Sequence, residues 1–193
     1  KWLIKWGVLH SSKTCLIKGS GVDLTKFKKI KENKKRALII SLVGRLLYHK
    51  GIIEFISAAK ILKAKEANVR FWIIGDIDPE NPSSLKKKNL KIIKKDNIVE
   101  FKGYTRNISS IFAKSNIVCL PSYREGLSLT LLEAGAAGRA VVTTNVPGCR
   151  DAIIPNKTGL VVPVKNIEAL ANALEFLIKN PKKRIKMGKA GRK

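Results

Sequence analysis

Residues Pro121 to Arg139 read PSYREGLSLTLLEAGAAGR and set a carboxylate on each side of an apolar run. Glu125 follows a proline-led loop, and Glu133 comes eight residues later among Leu131, Leu132 and Ala134. Gly126 reads as the junction between loop and helix, with Ser128 or Thr130 near the first turn of a helix over 127–137. A helix this apolar packs inside a domain, where an unpaired carboxylate is costly. Two accounts of the glutamates are open. In the structural one, Glu125 caps its helix and Glu133 meets a buried basic partner. In the chemical one, both accept hydrogen bonds from ligand hydroxyls, Glu133 lying about 10 Å further along the helix at ~1.5 Å per residue. A carboxylate spanning two vicinal hydroxyls is a common way to hold a ribose.

A second group of chemical residues lies in GRLLYHKG, where Arg45 and Lys50 flank a helix start. A guanidinium, an ammonium and the free amides of a helix N-terminus together suit a diphosphate. The helix beginning near Gly126, Leu127 and Ser128 can offer amides to the same anion. Taken alone, Arg45 and Lys50 read sooner as surface cations in a chain full of them. Two nucleotide motifs are absent: NKTG at Asn156 to Gly159 lacks the glycine loop of a Walker-type site, and no Gly-x-Gly-x-x-Gly joins the first strand to its helix. GSG at Gly19 to Gly21 precedes the alternating region and reads as a turn.

The elements that must position these residues alternate from Ala37 onward. ALIISLVG, VRFWIIG, NIVEFKGY, NIVCLP, AVVTT and GLVVP are short apolar strands. Between them GIIEFISAAKILKAK has apolar residues at helical spacing, a lysine-rich helix is expected over 85–95, and a short one near 108–114. IEALANALEFLIK follows the last strand. Continuous apolar strands each followed by a helix describe an α/β fold, a doubly wound parallel six-stranded Rossmann-like sheet. Such sheets bind ligands at the carboxyl ends of their strands. GRLLYHKG, GDIDPENP, GYTRN, PSYREGLS and TTNVPG are those ends, and four of the five carry a glycine close to the strand.

The 193 residues are 45% hydrophobic, enough for one substantial core. No run approaches the ~18 to 20 apolar residues of a membrane span, and no signal peptide is visible. The chain opens on Lys1 rather than methionine, which reads as a piece of a longer protein. Cys15, Cys119 and Cys149 are odd in number and far apart, which points to a reducing, cytoplasmic setting and away from disulfides or zinc. The net charge is +25, carried by 39 basic residues of which nine are arginine. They are scattered through KKIKENKKR, LKKKNLKIIKK and NPKKRIKMGKAGRK without interleaved aromatics, unlike a nucleic-acid element. The charge reads as a solvated surface, as biased codon usage, or as attraction to an anionic membrane face. On the last account Lys86, Lys87, Lys88, Lys91, Lys94 and Lys95 form one solvated helix face.

At this point the chain resembles a known family. EGLSLTLLE matches the Glu-x7-Glu motif of the retaining glycosyltransferases of the GT4 group, and GRLLYHKG resembles their Gly-Arg-Leu…Lys-Gly phosphate loop. GSGVDLTKF, VPGCRDAI, TGLVVPVKNIEALANALEFLI and the terminal MGKAGR follow in the family's order, from about Thr14 to the end. Asp151, after GCR, and Asn166 depart from the usual glutamate and aspartate. The resemblance implies one half of a two-domain GT-B fold, the C-terminal donor-binding half over 1–193, with 1–14 an interdomain remnant and the acceptor-binding half absent.

Carried over by position, the resemblance implies that Arg45 and Lys50 hold the donor diphosphate and that Glu125 contacts the donor sugar. The backbone of Gly126, Leu127, Ser128 and Leu129 would assist, and Glu133 would bind the ribose. Gly75, Asp76, Tyr104 and Thr105 would surround the base. It implies no cofactor and no metal, the donor being a substrate: DID at Asp76 to Asp78 fits a metal motif only as letters. The expected reaction moves a sugar from a nucleotide-diphosphate donor, a UDP-sugar, to a saccharide or lipid-linked acceptor in bacterial surface glycan synthesis. It would proceed in the cytoplasm or at the inner face of the membrane. A sugar-nucleotide epimerase of the same fold is the competing enzyme, and a basic module for nucleic acid or membrane the competing non-enzyme.

Overall fold

The computed structural model describes residues 2–15, 19–28, 30–32, 36–65 and 68–193. Parts of KKIKENKKR therefore lie outside the described residues. Six strands form one parallel sheet: β1 Leu38–Val43, β2 Val69–Ile74, β3 Glu100–Gly103, β4 Ile117–Leu120, β5 Ala140–Thr144 and β6 Gly159–Val162. Their spatial order is β3-β2-β1-β4-β5-β6. The chain winds outward from β1 in one direction, returns, and winds outward from β4 in the other. The order reverses between β1 and β4, which opens a crevice at their carboxyl ends.

The helices are α1 Trp2–Lys5, α2 Ile52–Lys65, α3 Lys87–Lys95, α4 Ile108–Lys114, α5 Leu129–Ala136, α6 Pro147–Arg150, α7 Ile167–Lys179 and α8 Pro181–Gly191. None among the described residues is long and apolar enough to cross a membrane. Successive residues of each strand face opposite sides of the sheet. Ile40, Leu42, Phe71 and Ile73 join Phe55 and Leu62 of α2 and Leu170, Leu174 and Leu177 of α7. Ile39, Val43, Trp72 and Val118 join Phe112 of α4 and Leu131 of α5 on the other side. Both faces are covered, which is why the strands read as continuous apolar runs rather than alternating ones.

Three boundaries differ from the sequence reading. The helix expected from Leu85 begins at Lys87, because Ser84 bridges to Leu47 and the Leu85 amide donates to the Leu46 carbonyl. The helix expected from Leu127 begins at Leu129, because the Ser128 amide is taken by the Gly148 carbonyl at 3.1 Å. Gly19 to Gly21 do not form the turn; it falls at Leu24 to Lys26, where the Asp23 carboxylate accepts from the Thr25 amide and hydroxyl. The helix α8 was not anticipated. Its lysines and two glycines hide the periodicity, although Pro181 at its first position is a start signal. Asn166, one of the two departures from the family pattern, still caps α7 by accepting from the Ala169 amide at 2.8 Å.

Candidate active site

The carboxyl ends of β1, β4 and β5 are drawn together by close backbone contacts. After β1 a short 3-10 turn, Tyr48–Lys50, ends at Gly51 in the left-handed region with φ 72°. A β-carbon on Gly51 would stand 2.1 Å from the Pro121 carbonyl oxygen, so only glycine lets these two loops touch. The Tyr123 amide then donates to the His49 carbonyl at 2.8 Å. On the other side Gly148, in α6, lies against the loop before α5, where a β-carbon would overlap the Gly126 carbonyl oxygen at 1.2 Å. Thr144, at the end of β5, donates its hydroxyl to the Ser122 carbonyl.

This packing brings Lys50 and Glu125 into contact, Nζ to Oε1 at 2.6 Å, with side chains only 19% and 11% exposed. Ser122 Oγ donates to the same oxygen at 2.7 Å. Among the described residues Oε2 of Glu125 carries no hydrogen bond, so one carboxylate oxygen is spent on fixing the side chain and the other is spare. Glu125 is not the cap of α5. Ser128 holds the cap position and makes no side-chain bond to the helix, which leaves the first amides of α5 with no acceptor inside it. A lysine, a carboxylate oxygen and uncapped helix amides thus meet at the switch point of the sheet.

Arg45 stands at the same strand end but faces Asp78 of the β2–α3 loop, Nη1 to Oδ2 at 2.6 Å. With Arg45 62% exposed, such a pair contributes at most ~1 kcal/mol, so the guanidinium exchanges partners readily. The two loops are zipped by backbone bonds from the Leu46 amide to Asp76 and from Tyr48 to Ser83, at 2.9 and 2.8 Å. This places Gly75 and Asp76 beside Arg45. Tyr104, 70% exposed, and Thr105 follow the edge strand β3, and no side-chain hydrogen bond or ion pair among the described residues joins them to Arg45, Lys50, Glu125 or Glu133. The Thr105 hydroxyl accepts from the Asn107 amide at 3.1 Å and shapes the entry to α4.

Glu133 lies in α5, half-buried, and its carboxylate makes no hydrogen bond or ion pair among the described residues. Burial raises its carboxyl above the ordinary value, opposed in part by the charge of Lys26. Among the described residues no buried basic side chain pairs with it, which counts against the structural account of this residue. A neighbouring pair was missed in the sequence. Tyr123 donates its hydroxyl to Glu54 of α2 at 2.5 Å, and Glu54 is buried with its second oxygen unpaired. The one available signal was an acid among the apolar residues of α2. His49 is held below its ordinary value, first by burial and then by the charges of Arg124 and Lys50.

The profile of the glycosyl transferases group 1 family matches residues 23–193. The chain belongs to the group 1 glycosyltransferases. It is 33% identical over 94% of its length to N,N'-diacetylbacillosaminyl-diphospho-undecaprenol alpha-1,3-N-acetylgalactosaminyltransferase of Campylobacter jejuni, of which it covers 49%. The C-terminal domain of a group 1 glycosyl transferase family protein from Francisella tularensis superimposes with a TM-score of 0.76 at 30% identity, covering 89% of this chain and 95% of that one. A TarM variant from S. aureus superimposes with a TM-score of 0.72 at 28% identity, over 86% of this chain and 34% of that one. This glycosyltransferase chain therefore spans about half the length of the curated relatives it matches. Its sheet is that of a GT-B half.

The lone carboxylate of this glycosyltransferase has a stability consequence. Because the folded chain raises the Glu133 carboxyl, its contribution to stability is fully present below the unfolded value of about 4.3 and lost as pH rises through the raised one. Glu133→Gln removes that loss. In the absence of nucleotide its melting temperature is expected to exceed that of wild type at pH 7, with the gap closing as pH falls toward about 4. A gap that stays constant with pH, measured by thermal scans, would show that burial of the charge is not the cause.

Proposed function

We propose that this chain is the donor-binding half of a retaining glycosyltransferase that takes a sugar from a UDP-sugar. The observation that carries the reading is the meeting of Lys50, Glu125 and the open end of α5 at the switch point. In this reading Lys50, the α5 amides and Arg45, released from Asp78, bind the diphosphate and stabilise the charge that develops on it as leaving group. Preorganised donors aimed at developing charge supply much of the rate enhancement in many enzymes. The spare oxygen of Glu125 accepts from hydroxyls of the donor sugar, assisted by the backbone of Gly126 to Leu129. Glu133 accepts from the ribose, and Gly75, Asp76, Tyr104 and Thr105 line the way to the base. The TarM relative was solved with UDP, and the Campylobacter relative is named for a diphospho-undecaprenol acceptor. These support a uridine donor and a lipid-linked acceptor in glycan assembly. In this reading the charge on the diphosphate is met by Lys50, Arg45 and the α5 amides without a metal.

Calorimetry with UDP and uridine tests the roles. Arg45→Ala is expected to weaken UDP at least tenfold more than uridine, whereas Glu133→Ala weakens both alike; EDTA is expected to change neither. Equal losses for both ligands in both variants sink the assignment, and a loss on EDTA sinks the metal-free chemistry.

The acceptor and its binding half are proposed to lie outside this chain. Orienting two reactants is worth ~7 to 11 kcal/mol of barrier, so one wall of a cleft gives no partial catalysis. The chain alone is expected to show no sugar transfer, and turnover of any acceptor would overturn this division of labour.

The membrane is proposed to be met by α3. All six lysines from Lys86 to Lys95 are exposed, while Leu90 and Ile93 pack on the core. Each lysine near an anionic leaflet adds up to ~1 kcal/mol. Replacing the six with glutamine is expected to abolish co-sedimentation with anionic vesicles and to leave UDP affinity unchanged; undiminished co-sedimentation removes this contact.

A further inference from the structure

The opposite, amino-terminal edge of the sheet holds a feature that donor binding does not use. A cavity of about 990 Å³ lies there, bounded by the starts of β1 and β2, by α4, by residues of the 26–32 segment and by Arg139 ahead of β5. Lys26, Lys28, Lys31, Arg36 and Lys114 line it with Arg139. Arg70 lines it too, but Glu100 neutralises it through two hydrogen bonds of 2.7 and 2.6 Å. Among the described residues Glu32 is the sole carboxylate in the lining, and Arg184 engages it from Nε and Nη2 at 3.1 and 2.8 Å.

Arg139 is the unusual member. It is 2% exposed and forms no ion pair among the described residues; its Nη2 donates to the Ile30 carbonyl, and its Nε is buried without a partner. Burial pulls its guanidinium below the ordinary value. Trp72, 7% exposed and also in the lining, buries an indole N–H that likewise has no acceptor. Arginine and indole nitrogens only donate. Water can accept from them, but it does not offset a buried positive charge, which is costly unless a counter-charge meets it. The charge of Glu32 opposes the effect of burial on Arg139 in part, but its oxygens are engaged by Arg184. What the site lacks is an anion.

We propose that this amino-edge cavity is a second anion site, separate from the donor site, that takes a small polyvalent phosphate such as a diphosphate or longer oligophosphate. Two guanidiniums offer the forked geometry that phosphoryl oxygens accept, and the lysines add point charges around a space much larger than a single ion. The same chemistry is presented by a free oligophosphate and by a lipid phosphate monoester.

The test is a titration of inorganic diphosphate and tripolyphosphate at constant ionic strength, with UDP present in excess. Calorimetry is expected to show one site beyond the nucleotide, and the Trp72 indole cross-peak in a nitrogen-proton spectrum to shift with occupancy. Arg139→Gln is expected to weaken binding at least tenfold. If that variant does not fold, the double variant Lys28→Gln/Lys114→Gln, whose side chains are exposed, is expected to weaken it several-fold with the fold intact. As a control, Lys182→Gln on α8 removes one exposed charge elsewhere and leaves the affinity as it was. Weak binding that Lys182→Gln lowers as much as the cavity variants is general attraction to a basic chain and overturns the proposal. So does an unmoved Trp72 resonance. Vesicles of phosphatidylcholine with phosphatidic acid separate the sources. Binding that free diphosphate competes away and Arg139→Gln removes identifies a lipid phosphate; diphosphate binding without such vesicle binding identifies a soluble one.

Discussion

The ion pair between Lys50 and Glu125 organises the carboxyl edge of the sheet. It joins the loop after β1 to the loop after β4 across the point where strand order reverses. Both side chains are mostly buried, so each charge depends on the other, and removing one partner leaves the second uncompensated in a poorly solvated place. The pair forms because two backbones touch: Gly51 against Pro121 on one side, Gly148 against Gly126 on the other. Ser122 then fixes the same carboxylate oxygen, and Thr144 fixes Ser122 from β5. Three strand ends are thereby tied to a single carboxylate.

The cations of this edge are held with different firmness. Lys50 is enclosed and locked, whereas Arg45 is largely exposed and rests on Asp78 by a contact of little energy. A locked ammonium gives position, and a guanidinium on a weak tether gives reach. The acids of the following loop, Asp76 and Asp78, keep this strongly basic chain from presenting an uncompensated cation there. At the amino edge the balance is reversed. Cations converge, the one acid among the described lining residues is engaged by Arg184, and the buried Arg139 guanidinium forms no ion pair among the described residues. The +25 of the chain is therefore unevenly placed: it is compensated beside the switch point and accumulates on α3 and below the sheet.

The sequence by itself determined the fold. Apolar runs of strand length, each followed by helical periodicity, leave a parallel sheet covered on both sides as the only way to bury what they carry. It also places the loops of Arg45, Lys50 and Glu125 at the carboxyl ends of the strands, and the spacing of Glu125 and Glu133 with the Arg45 and Lys50 loop is specific enough to indicate the family. These features are local, and local patterns are written in consecutive residues. Helix starts were less legible. Ser128 and likewise Leu85 have helix-compatible neighbours, but their amides are claimed by partners distant in sequence.

Only the tertiary structure decided how the site residues divide. Nothing in the order of residues says that Glu125 is held by Lys50 and Ser122 while the Glu133 carboxylate pairs with none of the described residues, or that Arg45 turns to Asp78, thirty-three positions away. The same holds for Glu54 with Tyr123, and for Arg139, which is buried against the Ile30 carbonyl. The physical reason is common to all of them. Periodicity reports which face of an element is buried, because burial acts on each residue separately. Which charge meets which depends on the crossing of loops from different strands, and the sheet topology sets that only after the chain has folded.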